Sequence, residues 1–213
     1  LTTKDLDTSA VTGGVAMGVN AVVNQEYWRY YYAATSGNAS TKASTTTWYH
    51  FAWVRANRRM RLYIDGTEVA SHADATDYSG RDAFNIGGYY TTSFTLDGRF
   101  SDFRYTRASR YPFVPKKETL TTSTSFQNGI TVTASNTKIL TAHASSFTDG
   151  SANNYTITNN GAAISDFAPI GGMKSIYFTD GDYVDVAASS AIGAIGTGDF
   201  TVEMWVYGTG NAL

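Results

Sequence analysis

Apolar and polar positions alternate with a period of two from one end of this chain to the other, and no stretch longer than a turn sustains the 3.6-residue repeat of a helix. The alternation is clearest from Asp199 to Tyr207. Phe200, Val202, Met204 and Val206 take one face, while Thr201, Glu203, Trp205 and Tyr207 take the other, the pattern of a half-buried strand. Met60, Leu62 and Ile64 alternate with Arg61 and Tyr63. Asp65-Gly66 then supplies residues that tolerate positive φ before Thr67-Glu68-Val69 returns, which predicts a hairpin. Further strands are predicted over Trp48–Arg55, Ala83–Gly87, Gly98–Thr106, Lys174–Phe178 and Tyr183–Val186, separated by Gly, Asp or Ser clusters. The pattern predicts an all-β chain built as an antiparallel two-sheet β-sandwich.

Lys116 to Thr137 breaks the pattern: roughly half of its residues are Thr or Ser, Pro112 and Pro115 precede it, and Asn128-Gly129 marks one turn. It reads as a connector that forms its own hairpin arm. The chain of 213 residues has no cysteine, which excludes thiolate catalysis and cysteine metal sites. A core of this size is sufficient without them. Sixteen Lys and Arg against eighteen Asp and Glu leave no field to steer the chain to nucleic acid or anionic lipid, so neither is an expected partner. Fifteen Tyr among abundant Gly, Thr, Ser and Asn match strands with polar turns and the chemistry of recognition surfaces. No apolar run approaches the length of a membrane span, and neither a span nor an intact signal peptide is expected.

The stretch Trp48-Tyr49-His50-Phe51-Ala52-Trp53-Val54-Arg55, followed by Met60-Arg61-Leu62-Tyr63-Ile64-Asp65-Gly66-Thr67-Glu68-Val69-Ala70, resembles the central hairpin of laminin-G-like domains of the concanavalin-A-like lectin/glucanase superfamily. Asn85-Ile86-Gly87-Gly88, the run Leu96 to Arg104, and Tyr111-Pro112-Phe113-Val114-Pro115 resemble the closing strands of the variety found in bacteriophage virion and secreted bacterial proteins. Phe147 to Ser151, Tyr155 to Gly161, Ser175 to Phe178 and Gly198 to Tyr207 resemble the opening strands. The resemblance implies a jelly-roll sandwich with its halves in permuted order. Residues 1–115 would be the closing half, 116–137 the connector or hairpin arm, and 138–213 the opening half of the same or a neighbouring sandwich. A circular permutant, one period of a repeat array and a protomer that swaps halves with neighbours all fit this order.

Related sandwich-fold hydrolases present two carboxylates about 5–5.5 Å apart on one strand. The equivalent-looking strand here carries a lone Glu203, which cannot supply both roles, so no catalytic residue and no enzymatic activity are expected. His50 reads as a histidine tied into the sheet, with His72 and His143 in polar loops. Arg55, Arg58, Arg59 and Arg61 suggest a basic patch or, with the overall charge balanced, a solvated hairpin tip. Tyr27-Trp28-Arg29-Tyr30-Tyr31-Tyr32 is the densest aromatic run. Exposed rings there would stack on sugars or on a neighbouring subunit, and buried ones would fill the core. Tyr27, Trp28, Tyr30, Tyr89, Tyr90 and Trp205 are the candidate ligand contacts.

Asp149-Gly150-Ser151-Ala152-Asn153 resembles the segment that joins a calcium site in some members of the superfamily, with Asp180 and Asp182 placed to complete it. The same residues are also ordinary turn chemistry, and no other cofactor is expected. Asn38-Ala39-Ser40 and Asn154-Tyr155-Thr156 fit the glycosylation pattern, relevant to a secreted eukaryotic chain. The functional expectation is a non-catalytic structural or binding module, in a virion or extracellular, that attaches to a glycan or cell-surface receptor and meets neighbouring copies of itself. The alternatives are a polysaccharide-degrading glycoside hydrolase on the same fold and a purely architectural subunit without a ligand.

Overall fold

The structure is a computed structural model. It describes residues 15–22, 25–32, 35–42, 44, 46–78, 84–89, 91–113, 115, 118–125, 129–179, 181–186 and 196–209. Among these the regular elements are all strands. They run β1 (Val15–Val22), β2 (Gln25–Tyr32), β3 (Thr35–Lys42), β4 (Trp48–Ala56), β5 (Arg59–Ile64), β6 (Thr67–Ala73), β7 (Phe84–Ile86), β8 (Gly88–Tyr89) and β9 (Thr91–Thr95). Then follow β10 (Gly98–Thr106), β11 (Thr124–Ser125), β12 (Thr131–Val132), β13 (Thr137–Thr141), β14 (Ile157–Asn160), β15 (Ala163–Ser165), β16 (Ser175–Phe178), β17 (Tyr183–Val186) and β18 (Phe200–Gly208).

The main sheet has eight strands in the order β15-β16-β10-β18-β4-β5-β6, with β13 also paired to β10. A three-stranded sheet, β14-β17-β7, supplies Ile86, Val184 and Val186 to the same core, and every pairing is antiparallel. The core takes the apolar set of each main-sheet strand: Phe51 and Trp53, Met60, Leu62 and Ile64, Phe100, Phe103 and Tyr105, Ile176 and Phe178, and Phe200, Val202, Met204 and Val206. Outside β10 alternation explains this directly, because side chains two apart share a face. The fold is an all-β sandwich.

Strand β18 lies between β10 and β4, with Val202 opposite both Tyr105 and Trp53. A strand with nine residues and an apolar face has no free edge in that position. The Thr/Ser-rich stretch forms the β11-β12 hairpin, while β1-β2-β3 make a separate meander. Leu1 and Leu213 lie outside the described residues.

Two details differ from plain alternation. The expected half-buried strand β18 is buried on both faces at its start, since Thr201 and Glu203 are as inaccessible as Phe200. The reason is a segment after β10 that folds over the outer face. Its backbone N–H at Arg110 donates to Thr201 Oγ1 at 3.0 Å, and Thr201 Oγ1 donates to Ala108 O at 2.9 Å. The second detail is a bulge in β10 between Ser101 and Arg104, where Asp102 takes φ 54°. The bulge reverses the side-chain parity of the strand. Phe100, Phe103 and Tyr105 face the core, which leaves Arg99, Ser101, Arg104 and Thr106 for the outer face. Asp102 also accepts a hydrogen bond from Leu120 N at 2.8 Å, fastening the covering segment.

Candidate functional site

The strand registers build the outer face of the main sheet in rows. Tyr177, Arg99, Tyr207 and Trp48 form one row across β16, β10, β18 and β4. Ser101, Trp205 and His50 form the next, and Arg104, Glu203, Ala52 and Tyr63 the one after. One end of this face is sealed and the other is open, and the two ends differ in chemistry.

At the sealed end, Glu203 is wholly buried. Its Oε1 accepts from Arg104 Nε at 3.0 Å and from Arg104 Nη2 at 2.5 Å, and its Oε2 accepts from Arg110. Arg104 Nη1 donates onward to Thr121 O at 2.8 Å. Burial opposes ionisation of Glu203, but the guanidiniums of Arg104 and Arg110 outweigh it and hold the carboxyl below its ordinary value. His50 Nε2 lies 4.0 Å from Glu203 Oε2. Burial, reinforced by the two arginines against the pull of Glu203, pushes His50 down to about 4. The ring is therefore neutral at neutral pH, and among the described residues neither of its nitrogens has a hydrogen-bond partner.

Phe113 closes this end. It stacks on His50 with centroids 5.4 Å apart, lies 5.4 Å from Tyr63, and carries the Arg110 guanidinium over its ring at 4.4 Å. Ala52, Val54, Tyr63 and Phe113 form a second, smaller hydrophobic cluster on this side of the sheet. An ionised carboxylate fixed by two guanidiniums beneath an aromatic cover is a structural ion cluster in its geometry. It neither holds a transferable proton nor reaches solvent.

At the open end, rings gather around one cation. Trp48 lies 5.3 Å from Tyr207 and 5.8 Å from Phe167, and Phe167 stands edge-on to Tyr207 at 5.0 Å. The Arg99 guanidinium lies 4.3 Å from the centre of Tyr177, 5.3 Å from Phe167 and 5.8 Å from Tyr207. Phe167, in the loop after β15, is 48% exposed, and Trp48, Arg99, Tyr177 and Tyr207 are half-buried. Among the described residues no hydrogen bond or ion pair engages the Arg99 side chain, and its buried Nε has no acceptor there. Trp48 Nε1 and Trp205 Nε1 are likewise buried without an acceptor among the described residues. Trp205 meets His50 edge-on at 5.0 Å and separates the two ends.

The residues singled out from sequence fall in several places. Trp205 belongs to this face. Tyr27, Trp28 and Tyr30 lie on β2, opposite Asn20, Val19 and Met17 of β1. Tyr89 is on β8. Tyr90 lies outside the described residues, as does Asp180. Asp149 Oδ1 accepts from Leu140 N and Ser151 N, and Oδ2 accepts from Ser151 Oγ and Tyr155 N. Asn153 Nδ2 donates to Thr137 O and Lys138 O. Asp182 accepts from Thr179 N and Oγ1, closing its own turn. Among the described residues no group of three or more His, Asp or Glu is arranged to hold a metal ion.

Arg55 departs from the solvated hairpin tip. It is wholly buried, with Nε 3.3 Å from Asp74 Oδ2 and Nη2 bonded to Asp74 O and Thr76 O, while Arg58 and Arg59 are exposed. His72 lies on β6 instead of a loop. Trp48, Arg99, Phe167, Tyr177 and Tyr207 were not singled out, although alternation already puts Tyr207 beside Trp205. Their meeting depends on cross-strand register, which no local pattern specifies.

A family model described as the concanavalin A-like lectin/glucanases superfamily matches residues 3–110. No curated protein and no solved structure matches the chain.

Proposed function

Because this chain belongs to the concanavalin A-like lectin/glucanases superfamily, we propose that it is a non-catalytic binding module that attaches a virion or an extracellular assembly to a glycan on a cell surface. The observation that carries the reading is the open aromatic end of the outer face, where Phe167, Tyr207 and Trp48 lie within 5.0–5.8 Å of one another and Phe167 and Tyr207 also flank Arg99. Sugar rings present flat C–H faces that stack on such side chains, and flanking hydroxyls need the polar donors that the same face offers. Half-exposed rings held by their neighbours lose little conformational freedom on binding. The state of Glu203 supports the non-catalytic part. Glycoside hydrolysis needs one carboxyl that holds a proton and a second that attacks or activates water, and Glu203 is ionised, sealed and faced by two arginines.

Contacts with neighbouring copies through the Tyr-rich strand β2, and the permuted order of the family's strands, belong to the same proposal. A glycan array probed with the purified chain tests it. Binding of at least one saccharide class that weakens several-fold in Phe167→Ala is expected. Absence of binding to every saccharide would leave an architectural subunit, and turnover of a polysaccharide that vanishes in Glu203→Gln would make it an enzyme.

A further inference from the structure

Resting on that reading, we infer that the saccharide is acidic and that its carboxylate is received by Arg99. A neutral sugar needs aromatic faces and hydrogen bonds but no fixed charge. Here the row across β16, β10, β18 and β4 places one cation at its centre, with Tyr177 and Tyr207 as its cross-strand partners. Phe167 closes from the loop, and all three rings lie within 5.8 Å of the guanidinium. Two other arginines of this sheet are answered by acids: Arg104 by Glu203, and Arg61 by Glu68 at 3.7 Å. Among the described residues Arg99, unlike these two, has neither a hydrogen bond nor an ion pair, and its Nε is already shielded from water.

A partly desolvated guanidinium held among rings is preorganised for the planar, two-point grip of a carboxylate. The rings stabilise the cation without neutralising it. Phe167 and Tyr207 then offer faces to the sugar ring that carries the acid. The class of ligand is thus a uronic acid or another carboxylated sugar in an oligosaccharide. A carboxylate is the shared chemistry of both.

The test is a calorimetric titration of the whole chain with trigalacturonic acid and with its methyl ester, repeated for Arg99→Gln, Arg99→Lys and Phe167→Ala. The acid is expected to bind about tenfold or more tightly than the ester, as the loss of one charged hydrogen-bonded pair implies. Arg99→Gln should bring the acid to the level of the ester, and Arg99→Lys should recover only part of the difference. Phe167→Ala should weaken both ligands by a similar factor. An array of sialylated and neutral oligosaccharides run in parallel extends the comparison to other carboxylated sugars. Unchanged thermal unfolding of each variant confirms that its fold is intact. Equal binding of charged and neutral saccharides, with Arg99→Gln indifferent to the charge, would overturn the inference while leaving glycan attachment standing. Failure of every saccharide to bind would overturn both.

Discussion

Arg104 and Glu203 are direct cross-strand partners, and Oε1 of the carboxylate takes both contacts, Nε at 3.0 Å and Nη2 at 2.5 Å, leaving Oε2 to Arg110. All three side chains are buried. The cluster therefore acts as a unit that joins β10, β18 and the covering segment, and removing its one anion strands two cations in a low-dielectric site.

Glu203→Ala should destabilise the protein by about 3–5 kcal/mol, the range for breaking a buried ion pair from one side. Denaturant unfolding followed by tryptophan fluorescence measures it. Replacing Glu203, Arg104 and Arg110 together by methionine should recover much of the loss, because no charge is then left unpaired. A single change that costs less than about 1 kcal/mol would mean that the cluster is hydrated.

The pH dependence follows from the directions of two shifts. His50 is neutral in the folded chain down to about 4 and ordinary, near 6.5, when unfolded. Between those values the unfolded state binds the extra proton. Stability is therefore complete above about pH 6.5 and falls as the pH drops towards 4, by up to about 3 kcal/mol. Glu203 is depressed, so its contribution is present above the ordinary carboxylate range and is lost as the pH falls through its lowered folded value. Unfolding midpoints across pH 7.5 to 4 (about half-unit steps) should show the decline, and His50→Phe should flatten it above pH 4.5.

Phe113 lies against His50, Tyr63 and Arg110. Truncation in Phe113→Ala should cost about 3–5 kcal/mol as a large core deletion. It should also admit water to the imidazole, so that the His50 pKa, read by NMR titration, rises from about 4 towards 6.5. A fully retained low value would place the burial of His50 in the sheet and not in the cover.

At the open end, a Cβ added to Gly98 would stand 2.2 Å from Tyr207 O. Backbone cannot yield as a flexible side-chain tip does, so Gly98→Ala must part β10 from β18 beside the aromatic row. A lower thermal midpoint together with weaker saccharide binding is expected. An unaltered midpoint would contradict so close an approach of the two strands.

Both oxygens of Asp149 already accept two hydrogen bonds from the chain. Asp149→Ala should therefore destabilise the protein by about 2 kcal/mol or more, with four donors losing their acceptor. The wild-type unfolding midpoint should be the same in EDTA and in millimolar calcium. A calcium-dependent rise would show that this turn opens to a metal.

The sequence by itself determined the class of the fold and most of its core. The period-two pattern of Phe200, Val202, Met204 and Val206, and that of Met60, Leu62 and Ile64, assigns each residue to the inner face, and all are buried there. Asp65-Gly66 likewise specifies the β5-β6 turn, with positive φ at both residues. These are local signals, carried by residues two or four apart. What only the tertiary structure decided is the outer face. Alternation from Phe100 would carry Arg104 into the core, but the bulge at Asp102 reverses the parity and delivers it to Glu203, 99 positions along the chain. The covering segment turns Glu203 and Thr201 from solvated positions into buried ones. Register sets Trp48, Tyr207, Arg99 and Tyr177 in one line, and a slip of one residue would scatter them. The parity and the register rest on pairings between distant strands, and the cover on contacts with a distant loop; their energy lies in the assembled sheet and leaves no mark on the residues that flank each position.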